Sequence, residues 1–203
     1  MMIAEPAILI AYVAAAIGLL GSPGPAIAAL LAVGKVHGLG PGLRFYGGLQ
    51  VGLASAAAIS AAGLVSLITA APGLQFAMVL VAVAYLIYLA WKIATAPVGK
   101  TGAASTPVTG GLVLAGAVLG LTNPKAYVAF AALMAPVTLV ADSTVLDATV
   151  KWALVVAVMA VVDMLWLLGG VWLGKASLPP RIERLLNIIL AAMVLGAAVL
   201  AML

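Results

Sequence analysis

Gly21-Ser22-Pro23-Gly24-Pro25 and Thr122-Asn123-Pro124-Lys125 are the two stretches that decide how this chain folds. Each interrupts a long run of apolar residues. In each, a Ser or Asn stands directly before a proline. Ser and Asn side chains accept hydrogen bonds from the free N–H groups of a helix's first turn. Proline suits the first helical position, where its missing N–H is no loss. Each stretch therefore predicts one helix ending and another beginning inside the apolar run. Ser22 and Asn123 lie 101 residues apart in a chain of 203, half its length.

The composition says what surrounds these breaks. Hydrophobic residues make up 67% of the chain and charged residues only 7%. Mean hydropathy is +1.33. A soluble domain of this length needs far more charged surface. A bilayer removes that need, and a spanning helix takes roughly 20 apolar residues. Six apolar segments are legible: Ile3 to Gly34, Phe45 to Thr69, Leu74 to Trp91, Pro107 to Ala135, Ala148 to Leu173, and Ile182 to Leu203. The breaks between them include Gly38-Leu39-Gly40-Pro41-Gly42 and Ala71-Pro72-Gly73. A polar piece from Ala96 to Thr106 falls near the midpoint and is the candidate linker.

The expected fold is thus an all-α membrane protein with six transmembrane helices. Residues 1–98 form a first three-helix repeat, 99–106 a linker, and 107–203 a second repeat. Three spans is an odd number, so the second repeat is inverted relative to the first. The first and fourth helices are the ones broken at proline. Basic residues give the orientation. The first, third and fifth loops hold Lys35 and Arg44, then Lys92 and Lys100, then Lys175, Arg181 and Arg184. The second loop is uncharged, and the fourth carries Asp142 and Asp147 with Lys151 at its edge. Odd loops are expected in the cytoplasm and both termini outside, in a bacterial cytoplasmic membrane. No basic residue precedes the first apolar run, so no cleaved signal peptide is expected.

Several function classes are excluded. There is no cysteine and a single histidine, His37, so thiolate and histidine metal clusters have no ligands. No metal or other cofactor is expected. The net charge of +4 is spread over loops and gives no nucleic-acid stripe. Catalysis would need clustered His, Asp or Glu, and none is present.

Paired broken helices of inverted repeats are a plan for secondary transporters. A helix start carries about half a positive charge and free N–H donors, and so makes an anion site. Two such starts facing one volume would hold an amino-acid carboxylate. Broken backbone survives in lipid only beside protein or a watery cavity, because a free group there costs several kcal/mol. The plainer alternative is a proline kink without ligand. The candidate binding residues are Ser22, Pro23, Gly24, Pro25, Asn123, Pro124, Lys125, Asp163 and Trp166.

Asp163 lies midway between Lys151 and Lys175, among Val161, Val162, Met164 and Leu165. A lone carboxylate at that depth is costly, so it faces a cavity or a partner. It is read as a counter-charge for a substrate amino group or as the proton- or ion-coupling group. A structural pair with Lys125 is the alternative. Trp166 is one turn further on the same face. Gln50 is the other isolated polar group, equally well explained by core hydrogen bonding. Gly48 with Gly52, Gly116 with Gly120, and Gly170 with Gly174 allow close helix approach, within the chain or in a homo-oligomer.

These residues resemble the LysE/RhtB superfamily of bacterial amino-acid exporters over essentially the full chain. The matching pieces are Ser22-Pro23-Gly24-Pro25, the glycine-rich stretch from Gly34 to Gly52, and Ala84-Tyr85-Leu86-Ile87-Tyr88-Leu89-Ala90-Trp91-Lys92. Gly120-Leu121-Thr122-Asn123-Pro124-Lys125-Ala126, and Asp163 followed by Trp166, complete the set. The resemblance implies gradient-driven export of amino acids or similar metabolites, with no catalytic residues. One departure bears on substrate. Many relatives carry a polar or acidic residue in the second helix after the glycines, whereas Gly52 is followed here by Leu53, Ala54 and Ser55. The missing carboxylate counts against lysine or arginine and favours neutral or small polar amino acids. A passive channel and a metal-ion exporter remain as alternatives.

Overall fold

The computed structural model describes residues 5–22, 24–63, 72–95, 98, 111–134, 137–176 and 178–200. The linker 99–106 and Pro23 lie outside the described residues. Regular structure within them is helical: α1 (Pro6–Gly21), α2 (Pro25–His37), α3 (Leu39–Ala61), α4 (Pro72–Ala94), α5 (Leu112–Thr122), α6 (Pro124–Met134), α7 (Thr144–Lys175) and α8 (Pro180–Leu200).

Both interruptions are real breaks. α1 and α2 meet at 63°, and α5 and α6 at 53°. Pro25 and Pro124 are the first residues of α2 and α6. The expected caps are not there. Ser22 is extended and ends α1, its Oγ donating back to the Leu19 carbonyl at 2.8 Å. Extended Gly24 stands at the N-cap of α2, with no side-chain bond. Asn123 likewise ends α5, and its backbone carbonyl, not its side chain, accepts from Ala126 N at 3.1 Å. The Ser22 side chain thus bonds back into the helix that stops, whereas Asn123 joins α5 to α6 and its Oδ1 has no partner among the described residues.

The other boundaries follow local chemistry. The break expected over Gly38–Gly42 shrinks to Gly38, whose φ of 75° suits glycine alone. α3 resumes at Leu39, six residues earlier than its apolar run suggests. Pro41 is tolerated there because it sits in the first turn. α7 starts at Thr144 rather than Ala148, capped by Ser143 Oγ accepting from Leu146 N at 3.3 Å. Among the described residues, α7 is the one single helix long and apolar enough to cross a membrane. Counting each bent pair as one span gives up to three.

Glycine decides how the helices pack. α3 lies along α5 and, less extensively, along α6. A methyl at Gly48 or Gly52 would strike the Val113 or Ala117 carbonyl, and one at Gly116 or Gly120 would strike that of Phe45 or Leu49. α7 lies along α2 and, less extensively, along α1. There Gly170 and Gly174 meet the carbonyls of Leu31 and Lys35, and Gly34 meets that of Leu167. All six glycines singled out in sequence thus face helices of the same chain. α4 packs on α8, and α3 crosses α7. The centre is filled by Phe45, Leu49, Leu119, Phe130 and Leu167, all fully buried.

Asp147 and Lys151 are not loop charges. They form an ion pair at 2.7 Å, one turn apart on α7, and both are buried. Asp147 Oδ1 also accepts from Leu139 N at 2.5 Å and Val140 N at 2.9 Å. Lys151 Nζ donates to the Met134 carbonyl at 3.0 Å. The pair supplies partners to irregular backbone that has none of its own.

Two outcomes test this packing. Gly52→Leu forces a side chain into a carbonyl and should cost about 1–3 kcal/mol or more, lowering the melting temperature in detergent. A stability equal to wild type would refute the close approach. Asp147→Ala strands a buried ammonium and should cost about 3–5 kcal/mol, while adding Lys151→Met should recover part of the loss. A double variant no more stable than the single one would show that the pair is not buried.

Candidate functional site

The two breaks meet. From α6, Lys125 Nζ donates to the carbonyl of Ser22, the residue that ends α1. Its stem passes over Gly24, where an added Cβ would come within 2.6 Å of Lys125 Cδ and 2.9 Å of Nζ. Glycine at position 24 is thus what lets the lysine cross from one break to the other.

Beside this crossing is a cavity of about 380 Å³, open mouth included. Ser22, Gly24, Pro25, Asn123, Lys125 and Asp163 line it. The remaining walls are apolar, among them Leu19, Ile27, Leu53, Phe130 and Met159. Asp163 is 4% exposed and accepts from Gln50 Nε2 at 2.7 Å. It lies close enough to Lys125 for their charges to interact. Asn123 is also 4% exposed, and its Oδ1 is buried without a hydrogen-bond partner among the described residues.

The cavity therefore gathers six of the nine candidate residues. Pro124 starts α6 but does not line it. Trp166 is half-buried against the core and is not among the lining residues either. Pro23 falls outside the described residues. Apolar walls such as Leu53, Phe130 and Met159 escape sequence reading, because nothing distinguishes them from other apolar residues in a chain so rich in them. Gln50 stood out as an isolated polar group, and its partner Asp163 lies 113 residues away, beyond the reach of local spacing.

The site combines acceptors with donors in an apolar enclosure. Asp163 and Asn123 Oδ1 accept. Lys125 and the starts of α2 and α6 present positive charge. Among the described residues, no group of three His, Cys, Asp or Glu side chains is placed to hold a metal ion.

No match is found among curated proteins or among solved structures. The family comparison does give one: residues 17–203 match the LysE type translocator model, and that span takes in both breaks, Gln50 and Asp163. A helical, strongly apolar chain with this match belongs to the LysE type translocator family.

Proposed function

We propose that the protein is a secondary exporter of amino acids or related small metabolites across the bacterial cytoplasmic membrane, driven by a proton or ion gradient. The observation that carries this reading is the meeting of two helix starts and Asp163 around one cavity. An amino acid has matching parts. Its carboxylate suits Lys125 and the positive ends of α2 and α6. Its ammonium suits Asp163 and Asn123 Oδ1, which has no hydrogen-bond partner among the described residues. A neutral aliphatic side chain suits Leu53, Phe130 and Met159. Asp163, as the deep carboxylate of the cavity, is the coupling group in this reading.

The same reading takes the chain as six spans in two inverted three-helix repeats, 1–98 and 107–203, with both ends outside. Packing supports it. Exchanging α1 to α4 with α5 to α8 in order turns the α3–α5 packing into α7–α1, and α7–α2 into α3–α6. The α4–α8 and α3–α7 packings map onto themselves.

Purified protein in liposomes should catalyse saturable counterflow of labelled L-leucine, L-alanine or L-threonine, accelerated by an imposed proton gradient. Absence of flux for all three would overturn neutral amino-acid export. Asp163→Asn should retain its melting temperature and lose roughly ten- to a hundredfold in rate, as expected for a charge-assisted contact. A variant running at wild-type rate would remove Asp163 from the site. Because the chain has no native cysteine, Met2→Cys and Leu203→Cys report orientation directly. Both should react with an impermeant thiol reagent from the periplasmic side, and labelling only from the cytoplasm would reverse the topology.

A further inference from the structure

Gln50 lies on α3 between Gly48 and Gly52. One turn before it, the Tyr46 hydroxyl donates to the Ala160 carbonyl of α7 at 2.9 Å. One turn after it, the Ala54 carbonyl accepts from Trp152 Nε1 of α7 at 2.9 Å. Residues 46, 50 and 54 form one stripe of α3. The outer two bonds join α3 to α7 on either side of Gln50, so holding the helices together does not require it.

Nor does packing explain a glutamine here. Its Oε1 is buried and has no hydrogen-bond partner among the described residues. An apolar side chain of the same size would fill the seam without stranding an acceptor. What the amide gains is the carboxylate of Asp163, held through Oδ2 at 2.7 Å. A free carboxylate turns easily about its last torsion. One short bond from an amide fixed in a helix seam removes that freedom and leaves Oδ1 for the cavity that Asp163 lines. Gln50 itself is not among the cavity-lining residues.

We propose that Gln50 is a positioning residue, holding the Asp163 carboxylate by one oxygen so that the other is presented to the substrate. This rests on the reading of Asp163 as part of a transport site. The titratable groups around Asp163 are Tyr46 on α3 and Lys125 on α6, and both are retained in the variants that test it.

Wild type, Gln50→Leu, Gln50→Glu and Asp163→Asn are compared in liposomes, with Gln50→Met replacing the leucine variant if that fails to reconstitute. The infrared carboxyl band lost in Asp163→Asn is the Asp163 band. It should shift in Gln50→Leu while the melting temperature stays within a few degrees of wild type. An unmoved band overturns the positioning. In L-leucine counterflow, Gln50→Leu should be about tenfold slower, the scale of one hydrogen bond. Gln50→Glu should be slow at neutral pH, where two carboxylates oppose each other. It should regain exchange in acid, where the pair shares a proton and one member again donates. Wild-type exchange by Gln50→Leu, or no gain in acid by Gln50→Glu over Gln50→Leu, overturns the inference. If Asp163→Asn also exchanges at wild-type rate, or wild type carries no leucine, the transport reading falls instead, and the infrared band alone decides the role of Gln50.

Discussion

Peptide groups freed by a break inside an apolar chain must find partners within the protein, and the rest of this structure answers that demand. At the end of α1 the Ser22 carbonyl accepts from Lys125, which reaches it from the other half of the chain. The end of α5 leaves Asn123, whose backbone carbonyl is taken up by the first turn of α6 while its side chain is not. The first break therefore depends on the second for a donor, while the second meets its own backbone need in the first turn of α6. Gly24 matters for the same reason, since any side chain there would displace the lysine.

The meeting of the breaks also explains the make-up of the cavity. Where two helices stop and two start, backbone donors and acceptors collect, and a few side chains suffice to give the space a polar floor. Asp163 and Lys125 add opposite charges, and everything else that lines the space beyond Ser22 and Asn123 is apolar or small. Such an enclosure suits a small zwitterion better than a bare ion, because it offers both signs but too few oxygens to replace a hydration shell.

Much of this is written locally and some is not. The breaks are legible because glycine and proline inside an apolar run leave few conformations open. The family is legible because its pieces occur in order. The role of Ser22 is not, because a residue type that starts helices also ends them, and Asn123 stands before α6 as its sequence suggests but without the side-chain bond. Asp147 and Lys151 resemble loop charges because their partners, the amides of Leu139 and Val140 and the carbonyl of Met134, carry no side-chain signature. The bond from Gln50 to Asp163 joins distant segments through a helix crossing that no periodicity encodes.

The glycine seams have a mechanical consequence. Side chains that interlock between helices can change rotamer and let the helices slip or part by degrees. Where backbone lies directly against backbone there is nothing to rotate, and contact is either kept or lost. α3 with α5, and α2 with α7, are thus joined as beams, and each beam couples a long helix from one half of the chain to half of a broken helix from the other. The closest backbone contacts of this molecule thus join its N-terminal half to its C-terminal half.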